Sequence, residues 1–231
     1  MRKLGLIGGM SWVSAQTYLE DINRAVQRRG GHGSAAPLLI ESLDFSDYGG
    51  LRNGDGWDLL AEDLIGSARR LEQAGAEGLV ICANSMHKVY DQVAAPVSIP
   101  IIHIADAIGA RMARDGVRDA ALIGRRNVMT ESFFRQRLVA STIDLRAPDM
   151  DIVEMIDRVI YDELMVGKTS RDAERSLKTV ITLKEQAGAK AIILACAELE
   201  LVVDVDANVL PIYASTRIHC EAAADWMMAA D

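Results

Sequence analysis

The sequence lacks most of the features that would assign it quickly. It has no apolar run near the roughly 20 residues that a membrane-spanning helix needs, so no membrane partner is expected. Its three cysteines, Cys82, Cys196 and Cys220, are an odd number without CxxC spacing, which excludes a disulfide framework or a zinc site as the first reading. Its four histidines, His32, His87, His103 and His219, have no HxxxH spacing, so no metal is expected. The glycine turn Gly8-Gly9-Met10-Ser11 meets neither GxGxxG nor GxxxxGK[ST], the signatures of dinucleotide and nucleoside-triphosphate loops. Positive charge is also in deficit. Against 33 Asp and Glu stand 25 Lys and Arg, a net charge of −8, which argues against nucleic acid as a partner. Met1-Arg2-Lys3 runs directly into the strand-like Leu4-Gly5-Leu6-Ile7 without the long apolar stretch of a signal peptide, so a cytoplasmic location is expected.

What the sequence does have is a repeat. Gln73-Ala74-Gly75-Ala76-Glu77-Gly78-Leu79-Val80-Ile81-Cys82-Ala83-Asn84 is matched, 113 residues later, by Gln186-Ala187-Gly188-Ala189-Lys190-Ala191-Ile192-Ile193-Leu194-Ala195-Cys196-Ala197. Each copy reads as a helix end, a glycine stop and a short all-apolar strand, the αβ half of a parallel α/β unit. Gly5-Leu6-Ile7-Gly8-Gly9 matches Ala121-Leu122-Ile123-Gly124-Arg125 at an offset of 116, and Pro100-Ile101 matches Pro211-Ile212 at 111. Strands are expected at Lys3–Gly8, Pro37–Ser42, Leu79–Cys82, Ile99–Ile104, Asp119–Gly124, Thr142–Leu145, Ala191–Ala195 and Leu210–Tyr213. Helices are expected at Ser11–Arg28, Trp57–Ala74, His87–Ala94, Ala105–Asp115, Thr130–Ala140, Met150–Gly167, Ser170–Ala187 and Thr216–Met228. Alternating strands and helices mean mostly parallel sheet flanked by helices. The expected fold is α/β with two pseudo-symmetric lobes, 1–115 and 116–210. The last strand and helix, 211–231, would pack back on the first lobe, and the active site would lie in the cleft between the lobes, outside the carboxyl ends of the strands.

Candidate chemistry collects at those strand ends. The backbone of Gly9 and Met10 suits a small anion such as a carboxylate. Asn84 and Ser85 either hold a carboxylate or enolate oxygen or cap the next helix. Cys196 precedes Ala197-Glu198 at the threshold of a turn, where a thiol serves as acid, base or nucleophile; an isolated buried cysteine would be structural, but the repeat favours the functional reading. His87 and His219 each lie just inside a helix after such a turn. They either tune a catalytic group or are satisfied by nearby backbone. Arg52, Arg125 and Lys168 are the cations that a small dianionic substrate would need, although any one of them taken alone is better read as a solvated surface charge.

Taken with Gly5-Leu6-Ile7-Gly8-Gly9-Met10-Ser11-Trp12, Asp44-Phe45, Asn84-Ser85-Met86-His87-Lys88, His103-Ile104-Ala105-Asp106-Ala107, Glu163-Leu164 and Ile218-His219, the chain resembles the cofactor-independent aspartate/glutamate racemase superfamily, and most nearly its broad-specificity amino-acid racemase branch. The resemblance implies no cofactor, a small carboxylate or amino-acid substrate and two opposed bases. The second base falls on Cys196 and the first on Ala83, whose methyl group moves no proton. Further departures are Ala197 where the family has Thr, Ala214 where it has Asp, and Arg125 where it has Thr. Cys82 is expected to point away from the site, since neighbouring strand residues face opposite sides. Two enzymatic readings follow, an amino-acid racemase or epimerase (an isomerase) and a one-cysteine lyase similar to arylmalonate decarboxylase with Cys196 as proton donor. A non-catalytic small-acid binding protein is a third. Relatives are often dimers, so the resemblance implies a homodimer, with no interface signature in the sequence itself.

Overall fold

A computed structural model describes residues 1–229, without the side chains at positions 47, 49 and 53; the last two residues of the expected 211–231 segment lie outside it. The chain divides into two compact units, one of Met1–His103 with the chain from His219 onward, the other Ile104–Ile218.

The first unit holds a parallel sheet of β1 (Leu4–Gly8), β2 (Leu38–Ser42), β3 (Gly78–Ile81) and β4 (Ile101–Ile102) in the order β2-β1-β3-β4. The second holds β5 (Asp119–Gly124), β6 (Asp144–Leu145), β7 (Ile192–Ala195) and β8 (Ile212–Ala214) in the order β6-β5-β7-β8, also parallel. The repeat seen in the sequence is therefore a repeat of topology: β1, β3 and β4 correspond to β5, β7 and β8. The central strands are apolar on both faces because helices cover both, and every residue of β1, β3 and β7 is buried.

The helices of the first unit are α1 (Trp12–Gly30), α2 (Trp57–Gln73) and α3 (Tyr90–Ala94); those of the second are α4 (Ile104–Arg114), α5 (Arg126–Thr130), α6 (Ser132–Ala140), α7 (Met150–Asp162) and α8 (Arg171–Gln186). The last helix, α9 (Ser215–Met228), starts in the second unit and continues in the first. Helix α1 buries Tyr18, Ile22, Ala25 and Val26, the 3.6-residue stripe of an amphipathic helix. These pack with Leu4, Leu6 and Val80 and with Cys220, Ala223, Ala224 and Met227 of α9. The core of the second unit is centred on Phe134, Leu138, Ile156, Ile160 and Leu177 around β5 and β7.

The unit bounds sit apart from 1–115, 116–210 and 211–231. Helix α4 and strand β8 belong to the second unit, and the part of α9 from His219 belongs to the first. Three local expectations also differ. The helix expected over Thr130–Ala140 is preceded by the separate α5, because Glu131 takes an extended conformation (φ −88°, ψ 161°) that interrupts the spiral. The helix expected over Met150–Gly167 ends at Asp162; Glu163 is non-helical, and a 3-10 turn over Leu164–Val166 closes at Gly167 with φ 75°. The helix expected over His87–Ala94 is a 3-10 turn, Ser85–Val89, followed by α3.

Candidate functional site

In the second unit the chemistry lies where β5 and β7 end. Gly124 pairs with Ala195, and a Cβ on Gly124 would stand 2.8 Å from the Ala195 carbonyl oxygen. Only glycine permits this approach. Arg125 and Cys196 consequently leave neighbouring strands at the same level. Arg125 is buried, 5% exposed, and its guanidinium lies 4.1 Å over the Tyr161 ring of α7, a cation–π contact made without exposing the charge to water. The next residue is anchored as well, since the Arg126 amide donates to Asp157 at 3.0 Å.

Cys196 is extended (φ −162°, ψ 127°) and is followed by a 3-10 turn, Ala197–Leu201. The turn brings Glu198 back so that the Cys196 thiol donates to its carboxylate, Sγ to Oε2, at 2.9 Å. Both residues are buried. Burial pushes the thiol's pKa well above its ordinary value, the charge and hydrogen bond of Glu198 push it further, and Arg125 opposes them. At neutral pH this thiol carries its proton. It is a hydrogen-bonded acid under the opposing influence of a carboxylate and a guanidinium.

In the first unit the turn after β1 depends on Gly9, with φ 109°, and a Cβ there would lie 2.1 Å from the Leu43 carbonyl oxygen. Ser11 caps α1 by accepting from the Ser14 amide at 3.1 Å. Met10 and Ser85 are joined, the Ser85 hydroxyl donating to the Met10 sulfur at 3.2 Å. Asn84 and Ser85 are buried, and Asn84 makes no side-chain cap to the following turn. Ala83 is half-buried, and its carbonyl oxygen lies 2.9 Å from His87 Nδ1. That contact puts the proton of a neutral His87 on Nδ1. The His87 ring stands edge-on to His103 at 4.4 Å. Cys82 lies in the core with Leu4, Val80 and Cys220, and burial alone raises its pKa far above the usual thiol range. The parity of β3 thus removes it from the site.

His219 is fully buried, with Nδ1 2.7 Å from the Tyr18 hydroxyl and Nε2 2.9 Å from the Ile102 carbonyl oxygen. Since a carbonyl only accepts, Nε2 carries the proton and Nδ1 accepts from Tyr18. Burial lowers the His219 pKa to about 4. Arg52 is exposed within a 3-10 segment, Phe45–Asn53, and Lys168 is exposed, its amide donating to the Glu163 carbonyl at 3.0 Å. A surface cavity of about 460 Å³ in the second unit is lined by Thr169, Arg171, Lys178 and Asp204, among others, and includes neither Cys196 nor Arg125. Among the described residues no group of three or more His, Cys, Asp or Glu is placed to hold a metal ion, and no helix is long and apolar enough to cross a membrane. Sequence reasoning does not reach Tyr161 or Tyr18. Their partners, Arg125 and His219, are far away in the chain, and no local signal links them.

A model of the family described as Asp/Glu/hydantoin racemase matches residues 7–223. Among solved structures, a candidate Asp/Glu racemase from Yersinia pestis is 36% identical with a TM-score of 0.90, over 99% of this chain and 100% of that one. An aspartate racemase homologue from Pyrococcus horikoshii is 28% identical with a TM-score of 0.84, over 99% and 100%. The Gly74Cys mutant of arylmalonate decarboxylase shares the fold at 15% identity and a TM-score of 0.57, over 98% and 94%.

Proposed function

The chain belongs to the Asp/Glu/hydantoin racemase family, and from that premise we propose a cofactor-independent enzyme that moves a proton at the carbon α to a carboxylate of a small acid or amino acid, with the Cys196 thiol as carrier. The observation that supports this most directly is the buried thiol hydrogen-bonded to Glu198 at 2.9 Å. A carbanion α to a carboxylate is an enediolate, which needs a proton donor at carbon and positive charge at oxygen. Cys196 supplies the first: its S–H bond breaks as the C–H bond forms, and the sulfur is left as thiolate. Arg125, buried and held over Tyr161, supplies the second and also steadies the thiolate. In the reverse direction the thiolate takes the α-proton. Its high pKa, set by burial and Glu198, makes it a strong base for a weakly acidic C–H. His87 is a positioning residue that fixes the Ala83 carbonyl, and His219 belongs to the core.

Racemisation needs a proton on the opposite face too. At the position matched to Cys196 by the repeat stands Ala83, and Cys82 is buried away. That pairing favours a second reading, a one-sided reaction in which a C–C bond breaks, one carboxylate leaves as carbon dioxide, the electron pair stays behind as the enediolate, and Cys196 protonates it once. Incubation in D₂O with each enantiomer of aspartate, glutamate and neutral amino acids, followed by NMR of the α-proton, separates the two. Exchange with inversion supports a racemase. Absence of exchange, together with single deuterium incorporation on decarboxylation of substituted malonates, supports the second reading. In either case Cys196→Ala lowers the rate by about 10³-fold or more; full activity of that variant overturns both. Under the second reading Ala83→Cys introduces racemising activity toward the product. Location in the cytoplasm and assembly as a homodimer are part of the same proposal, and size-exclusion chromatography with light scattering tests the latter.

A further inference from the structure

Helix α9 opens with a side chain that the protein itself does not satisfy. Thr216 is 1% exposed, and its hydroxyl is buried with no hydrogen-bond partner among the described residues. Other helical threonines do not share this condition. The hydroxyls of Thr17, Thr130, Thr179 and Thr182 each donate to the carbonyl four residues back, at 2.8–3.0 Å. Thr216 stands in the first turn, so the carbonyl four residues back belongs to Ile212 in β8, where no helical geometry directs it to the hydroxyl. A buried hydroxyl without a partner is unfavourable, and a bound ligand that supplies the missing partner removes that cost.

The fold indicates what that ligand is. Leu194 pairs with Ala214 in the parallel register of β7 and β8. Cys196 follows the carboxyl end of β7, and Thr216 follows the carboxyl end of the adjacent β8, in the first turn of α9. Arg125 leaves β5 on the other side of β7, one residue past the Gly124–Ala195 pair. The 14-residue α9 begins directly at the carboxyl end of β8; first-turn amides have no carbonyl partner within their own helix, and the helix dipole places positive charge there. A thiol, a buried guanidinium, an unmatched hydroxyl and a helix amino terminus, following the carboxyl ends of three adjacent strands, suit an anion with planar oxygens. We infer that Thr216, with the first turn of α9, receives a carboxylate oxygen of the substrate on the opposite side of Cys196 from Arg125. Thr216 is thus a binding residue that holds the carboxylate while the α-carbon faces the thiol. The inference rests on the reading of the site as one for small carboxylates.

The test is calorimetric binding of malonate, L-aspartate and L-glutamate to the full chain carrying Cys196→Ala, so that nothing turns over, and to the same chain carrying in addition Thr216→Val, Thr216→Ala or Thr216→Ser. The expected result is that Val and Ala weaken carboxylate binding by about tenfold, the worth of one hydrogen bond, while Ser retains it. Thr216→Val should also melt higher than its parent, because a methyl group replaces an unsatisfied hydroxyl. Unchanged affinity in Val and Ala overturns the inference and leaves the proposed function standing. Failure of all three ligands to bind the parent overturns the proposed function and the inference with it. Should the Val chain not fold, the comparison of Ala with Ser decides on the same criterion.

Discussion

Cys196 is held by two neighbours of opposite sign, and each makes a separate prediction. Glu198 accepts a hydrogen bond from the thiol and disfavours the thiolate, whereas Arg125 favours it. Glu198→Gln keeps an acceptor oxygen but removes the negative charge, so the Cys196 pKa falls; ultraviolet thiolate absorbance during a pH titration should rise at lower pH than in the parent, with Cys196→Ala as the blank. Arg125→Met keeps much of the packing against Tyr161 and removes the positive charge, so the pKa rises instead, and KM for the carboxylate substrate increases by about tenfold or more, as for a lost charge-assisted hydrogen bond. Both substitutions moving the titration in the same direction would mean that Glu198 and Arg125 act through packing and not through charge.

The elements bring these residues together through close backbone contacts at the ends of the strands. Gly9, at φ 109° and against the Leu43 carbonyl, is the clearest case. Gly9→Ala adds a left-handed strain and a clash, each costing about 1–2 kcal/mol, so the urea midpoint should fall by an amount equivalent to about 2 kcal/mol or more. A loss under 0.5 kcal/mol, the scale of an ordinary surface change, would mean that the turn relaxes. The elements themselves were legible because their causes are local. All-apolar runs after glycine stops mark buried parallel strands, and repeating them at offsets near 113 produces the same strand order in both sheets. Cys196 was legible for the same reason. The placement of Glu198 on the thiol was not, because it depends on a 3-10 turn that no capping or periodic pattern marks. Arg125 on its own read better as a surface charge, and only the fold shows it buried, over Tyr161 from a helix distant in the chain. His219 read as a candidate for tuning a catalytic group because its true partner, Tyr18, is 201 positions away.

At the scale of the whole molecule, that distant pair sets a pH dependence. His219 is neutral in the fold, both nitrogens committed, with its pKa lowered from 6.5 to about 4. In the unfolded chain it regains its ordinary value. Between those two pH values the unfolded state binds a proton that the folded state refuses, so stability rises with pH across the window. The contribution is complete above pH 6.5 and is lost as pH falls toward 4, by about 3 kcal/mol from this one group. Chemical denaturation at a series of pH values should show that decline, superimposed on whatever the carboxylates contribute. His219→Gln cannot take up the proton in either state. Its stability is lower at neutral pH, where the Tyr18 and Ile102 hydrogen bonds are weakened, but its curve is flatter between pH 6.5 and 4, and the two curves converge at the acid end. Parallel curves would mean that His219 is already solvated in the native protein and that Tyr18 and Ile102 do not hold it neutral.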